Sequence, residues 1–314
     1  MGRNWHVAMG QLQGWLGVML MAATLPMLIS APPVGAQSLP TLGIQTSNQP
    51  DPQTAEGQLA LGVQYIQQGQ IDSAIAAFRQ ATALDPRLAP AHYNLGLALR
   101  QRGQLQASAN AFYQALQADP GFALAYANLG AALLEGGNLN QAAAYLQRSI
   151  QLDPNLGLGH YNLGLVYQQQ GNTDQAIVEF KRAVRLSTNA AEPAYHLGLL
   201  YLQQGQLAPA SEAFQQAVRI MPSYPEAHYS LGTILYQQGN FDQALAAFRR
   251  SAESNPNYPN AYYGAGLVFM RQGKYADAQR VLQYAKDLFT ALGNAQWASR
   301  ADQLLTQAHN SSSR

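Results

Sequence analysis

Ala91-His92-Tyr93-Asn94-Leu95-Gly96-Leu97 reads AHYNLGL, and Gly159 to Leu165 reads GHYNLGL, sixty-eight residues later. A near-duplicate inside one chain is the mark of an array, and its spacing sets the period to be read along the rest. From Leu61 onward, glycines stand at Gly62, Gly96, Gly130, Gly164, Gly198, Gly232 and Gly266, each thirty-four residues from the last. A second series keeps the same step: Gly69, Gly103, Gly137, Gly171, Gly205, Gly239 and Gly273. Fourteen glycines in phase without one insertion are not chance.

We number each repeat so that the first glycine is position 8, which starts the array at Ala55. Apolar or aromatic residues then recur at positions 4, 7 and 11, such as Tyr126, Leu129 and Leu133, the spacing of one helical face. A glycine inside a helix costs about 1 kcal/mol against Ala, so seven of them at position 8 need a packing reason. The missing side chain lets a partner helix approach, and the small residue at position 20 (Ala74, Ser108, Ala142 and their equivalents) is expected opposite it. Position 24 is Phe78, Phe112, Leu146, Phe180, Phe214, Phe248 or Leu282. The glycine at 15 suits a left-handed cap that closes the first helix. A second helix is expected over positions 16 to 30, ended by proline at 32 in Pro86, Pro120, Pro154, Pro222 and Pro256.

This spacing resembles the tetratricopeptide repeat (TPR) family. The resemblance covers seven units over roughly three quarters of the chain, 55–88, 89–122, 123–156, 157–190, 191–224, 225–258 and 259–292. It implies an all-α fold, a right-handed α-solenoid of helix-turn-helix units whose first helices line the concave side. Ser187-Thr188 replaces the usual Asp-Pro after the fourth unit, which suggests an altered junction there, and Ala265 replaces Leu in the seventh. Residues 293–314 read as a C-terminal capping helix, Asn294 to Ala308, followed by a frayed tail from His309. Seven units exceed the roughly three needed for a shared core, so the fold calls for no cofactor.

Turning each first helix by about 100° per residue puts position 4 in the core, 5 on the flank, and 2, 6, 9 and 13 on the opposite side. That side is the candidate peptide groove. It carries Asn94, Asn128, Asn162 and His196 at position 6, Leu97, Leu165 and Leu199 at 9, and Gln101, Gln169 and Gln203 at 13. Tyr93, Tyr161, Tyr195 and Tyr229 at position 5 flank it. An Asn amide complements both N–H and C=O of an extended chain. Asn94, Asn128 and Asn162 resemble the asparagine rows of peptide-binding superhelical TPR proteins. Asn is also common at this position in the family without a peptide, and the Leu and Tyr columns have packing between neighbouring helices as a second reading. Positions 2 and 6 hold no Lys or Arg, so a clamp for a C-terminal carboxylate, known in other members of the family, is not expected. The partner expected is another protein's extended, mostly uncharged segment.

Little else is available for chemistry. Charged residues make up 11% of the chain, against roughly 25% in an average domain, and the formal net charge is +1. Without a clustered basic face, nucleic acid is not an expected partner. The absence of Cys removes disulfides, thiolate ligands and Cys nucleophiles. His92, His160 and His228 share position 4 two repeats apart, too far for one metal ion, and read as aromatic stand-ins in the core. No G-x-S-x-G elbow, P-loop, dinucleotide-binding glycine pattern or H-E-x-x-H occurs. No enzyme activity, metal, cofactor or small-molecule substrate is expected.

Residues 1–36 differ in kind. Arg3 precedes an uncharged apolar run, Trp15 to Ile29, and a small-residue stretch ends at Val34-Gly35-Ala36. This is a signal-peptide pattern with cleavage after Ala36, which places the protein outside the cytoplasm, in a bacterial periplasm or an equivalent lumen. The alternative is retention of Trp15–Ile29 as an inner-membrane anchor, making the protein a membrane-tethered organiser of envelope complexes that works through its outer surfaces or by self-association. The run is shorter than the ~20 residues that span a bilayer. Residues 37–54, rich in Gln, Ser, Thr and Pro, read as a disordered linker.

Overall fold

In the computed structural model, residues 51–312 are described. The signal or anchor at 1–36 and most of the linker lie outside them. Fifteen helices and no strand occur among the described residues. They run α1 (Ala55–Gln67), α2 (Ile71–Leu84), α3 (Ala89–Gln101), α4 (Leu105–Ala118), α5 (Ala123–Glu135), α6 (Leu139–Leu152), α7 (Gly157–Gln169) and α8 (Thr173–Leu186). After Ser187 follow α9 (Glu192–Gln203), α10 (Leu207–Ile220), α11 (Pro225–Gln237), α12 (Phe241–Ser254), α13 (Pro259–Arg271), α14 (Tyr275–Ala291) and α15 (Ala295–Ser312). The chain divides at Ser187/Thr188 into two compact units. Each is a stack of helical hairpins, an all-α solenoid architecture.

Each hairpin is punctuated as the period requires. The glycines at position 15 adopt positive φ, from 70° to 78°, with nothing within 4 Å of an added Cβ. They are there for the left-handed backbone and not for space. The position-8 glycines serve the opposite purpose. A Cβ on Gly96 would stand 2.6 Å from the Phe112 ring. The residue seated on the glycine is therefore the one at position 24, sixteen residues on, and not primarily the small one at 20. Position 20 lies beside it, where Ser108 Oγ donates to the Gly96 carbonyl at 2.7 Å. The rings of Phe78, Phe112, Phe180, Phe214 and Phe248 are sealed by this arrangement, each at most 1% exposed. Burying such a side chain is worth about 1.5–3 kcal/mol.

Turns between repeats are held by the residue at position 31. Asp51, Asp85, Asp119, Asp153 and Asn255 each accept, through a side-chain oxygen, the backbone N–H two residues on, at 2.8–2.9 Å. The position-4 side chain closes the same turn from above. His92, His160 and His228 donate from Nε2 to the carbonyls of Pro86, Pro154 and Pro222, at 3.0, 3.0 and 2.8 Å. Gln58 does the same to Pro52. The histidines are thus hydrogen-bonded staples of the junction and not mere aromatic fillers.

Position 10 distinguishes the first repeat. Ala98, Ala132 and Val166 are buried there, whereas Gln64 is exposed. At the other end, α14 runs on past the usual stop, through Thr290 where most repeats have proline, and Gly293 (φ 69°) closes it. Asn294 Oδ1 then accepts the Trp297 N–H, and Trp297 packs on Tyr263 and Phe289 beneath α15. The helix continues through Ser312, so His309 to Ser312 are not frayed. Its last turns are held by Thr306 bonding to Asp302 and by Ala308, which is fully buried.

Candidate peptide-binding face

The face to be tested lies on the first helices. In residues 51–187 these are α1, α3, α5 and α7, which touch their neighbours directly. Gln101 and Gln169 are exposed, and Asn94, Leu97 and Leu165 are half-buried. Arg100, beside this row, is neutralised by Glu135 across α3 and α5. Apart from Glu56 on α1, the exposed strip is therefore neutral.

The asparagine ladder is not uniform. Asn94 Nδ2 donates back to the Pro90 carbonyl at 2.8 Å, within its own helix. Asn128 is 4% exposed and donates to the Leu124 carbonyl at 2.9 Å and to the Tyr93 hydroxyl at 3.2 Å. Asn162 is 5% exposed, and its Nδ2 has no partner. Asn128 gains its second bond from Tyr93, thirty-five residues back, whereas Ala127 in the corresponding place offers Asn162 no hydroxyl.

The position-5 tyrosines are core residues and not flank residues. Tyr93, Tyr161 and Tyr229 are buried, and Tyr195 is half-buried. Tyr93 packs on Phe112 and Phe122 with ring centroids 5.7 and 4.9 Å apart. Tyr195 repeats this on Phe214 and Tyr224, at 5.7 and 5.0 Å. Burial pushes the phenols of Tyr93, Tyr195 and Tyr229 well up, so they serve as neutral hydroxyls. A 100° step does not separate positions 4 and 5 cleanly when a first helix is packed on both its own partner and the next hairpin.

In residues 188–312 the same columns carry different groups. Leu199 is half-buried and Gln203 exposed. His196 packs edge-on against Tyr195 at 5.8 Å. Burial lowers its pKa to about 4, so it is neutral at pH 7. Glu192 and Glu226 stand at position 2, and burial raises the Glu226 carboxyl pKa.

One buried polar cluster lies away from this face. Glu179 sits between His160 Nδ1 (2.6 Å) and Arg182 Nη1 (2.9 Å), joining α7 to α8. All three groups satisfy one another, as a structural pair should. No group of His, Asp and Glu among the described residues has metal-ligand geometry. No described helix is long and apolar enough to cross a membrane.

Family models for the TPR repeat match residues 62–101, 132–171, 169–205 and 198–239, and further tetratricopeptide repeat models match 89–122 and 229–292. The chain belongs to the tetratricopeptide repeat family. No curated protein matches it across its sequence. Among solved structures, this TPR chain is similar to the APC/C hetero-tetramer Cut9-Hcn1, at 23% identity and TM-score 0.62. That match covers 69% of this chain but only 43% of the other. PilF of Pseudomonas aeruginosa matches at 22% identity and TM-score 0.59, over 66% of this chain and 94% of that one. YrrB, described as a TPR protein with an unusual peptide-binding site, matches at 26% identity and TM-score 0.52, over 62% and 99%. TPR hairpins of this kind support a role in protein–protein interaction.

Proposed function

We propose that the protein is a non-catalytic, exported scaffold that holds an extended, mostly uncharged segment of another protein against its first-helix face. The observation that carries this reading is the uncharged set of Asn94, Leu97 and Gln101 on α3 and Leu165 and Gln169 on α7, accessible on the two first helices that flank α5, with the nearby Arg100 already paired. Amides that both donate and accept, interleaved with apolar contact area, suit a peptide backbone. The similarity to YrrB supports the same reading. The signal-like run at Trp15–Ile29 supports export. Self-association by end-to-end stacking is the weaker alternative, because Gln64 puts a polar group where stacked repeats bury an apolar one.

The test is capture of partners by the full chain. Leu97→Arg with Leu165→Arg places charge on the strip and is expected to weaken capture roughly tenfold or more. Tyr113→Arg with Val178→Arg, on the exposed outward side of the second helices, is expected to leave capture intact. Equal losses from both pairs, with helical melts preserved, would remove the strip from the account. Intact mass of the chain from its native host checks export, and a mass lacking residues 1–36 is the expected result.

A further inference from the structure

We propose that residues 187–191 break the cooperativity of the array, so that residues 188–312 unfold and refold while residues 51–187 stay folded, and the reverse. This does not depend on what the first-helix face binds.

The other turns between repeats, at 85–88, 119–122, 153–156, 221–224 and 255–258, share three clasps. Each keeps proline at position 32, which fixes its own φ and restricts the residue before it. Each has at least one side-chain bond within the turn. An Asp or Asn at position 31 accepts a backbone N–H, or a histidine at position 4 donates to the proline carbonyl. Each also carries a large apolar residue at position 34. Phe122, Tyr224 and Tyr258 pack there on Tyr93, Tyr195 and Tyr229, with ring centroids 4.9, 5.0 and 5.8 Å apart.

The turn at 187–190 has none of the three. Thr188 replaces proline, and Ala190 stands at position 34. Among the described residues, the side chains of Ser187, Thr188 and Asn189 make no hydrogen bond, and Ala194 at position 4 has nothing to donate. The backbone bond from position 34 to the carbonyl at 31 is 3.1–3.2 Å long at Leu88, Phe122, Leu156 and Tyr258, and Ala190 makes no such bond. The following helix, α9, begins at position 2 with Glu192, whereas α3, α5, α7, α11 and α13 begin at position 1. A repeat array melts as one block only where coupling between neighbours is strong beside the stability of each repeat. Of the turns between repeats, 187–190 contributes least to that coupling. Each unit is then a separate thermodynamic block, and a partner held by one of them stabilises that one alone.

The test is urea unfolding of the full chain, followed by two probes. Circular dichroism reads all the helices. The fluorescence of buried Trp297 reads residues 188–312, with Trp297→Phe as the blank for Trp5 and Trp15. Phe112→Ala removes a buried ring from residues 51–187. It should bring the early part of the circular dichroism transition down by about 1 M urea or more, with the Trp297 midpoint unmoved. Phe214→Ala should move the Trp297 midpoint instead. A single transition that shifts in both probes with Phe112→Ala, or loss of all structure in that variant, would overturn the proposal. Ser187→Asp with Thr188→Pro restores two of the clasps. In that background the Trp297 midpoint should fall when Phe112→Ala is added, and a midpoint still unmoved in the folded protein would overturn the assignment of the break to this turn.

Discussion

The first helices of residues 51–187 and those of residues 188–312 share one period but present different chemistry. In the former, position 2 is Glu56, Pro90, Leu124 or Leu158 and position 6 is Ala60 or asparagine. In the latter, position 2 is Glu192, Glu226 or Asn260 and position 6 is His196, Ser230 or Gly264. Beneath both faces the buried columns barely change: glycine at 8, a small residue at 20, Phe or Leu at 24. The lesson is that the packing columns are constrained by the 34-residue geometry, whereas the face is free to vary from one unit to the other.

The largest effects should come from what the two units share. Phe112→Ala and Phe214→Ala each remove a fully buried ring and are expected to lose about 3–5 kcal/mol in denaturant unfolding. A markedly smaller loss in either would mean that the position-24 seat is not equivalent in the two units.

Next comes a contrast within the asparagine row. Asn128→Leu strips a hydrogen bond from a buried tyrosine hydroxyl and should cost about 1–3 kcal/mol. Asn162→Leu removes an amide whose Nδ2 is already unpartnered and should be neutral or stabilising. Matching losses at both sites would contradict the Tyr93/Ala127 explanation. Gly137→Ala, at a left-handed position in open space, should cost about 1 kcal/mol through backbone strain alone.

A separate set of effects is pH-dependent and belongs to residues 188–312. His196 has a folded pKa lowered to about 4, below its unfolded value of 6.5. The unfolded chain then binds more protons between these values, so stability is complete above pH 6.5 and declines as pH falls toward 4. His196→Phe should flatten that part of the profile. Glu226 has the opposite sign. Its raised carboxyl pKa means that ionisation near neutral pH opposes folding, so Glu226→Gln should raise stability at pH 7 and change little in acid.

Much of the fold was legible in the sequence because glycine and proline act locally. Gly137 needs only its own φ, and Pro154 needs only its missing N–H, so their columns can be read without knowing any neighbour. The last helix was legible for the same reason, since Gly293-Asn294 is a stop followed by a start. The face was less legible because its groups depend on residues a full repeat away. Asn128 reaches the Tyr93 hydroxyl thirty-five residues back, and Asn162 finds Ala127 in that place. His160 looked like a core aromatic because the proline carbonyl that it bonds is backbone, which has no letter of its own. The missing Asp-Pro at Ser187-Thr188 did mark the division between the two units. Gln64 was a usable signal, a polar letter in an otherwise apolar column, and it marks the first repeat.

The most direct test is site-specific photocrosslinking of the full chain in its native host. A photoreactive residue replacing Gln101 or Gln169, both exposed on the first-helix face, should crosslink to a partner protein through a short extended segment. The same residue replacing Gln114 or Gln117, exposed on the outward side of α4, should yield no such product. Crosslinks from Gln114 and Gln117 with none from Gln101 and Gln169 would place the partner on the other face and contradict the account.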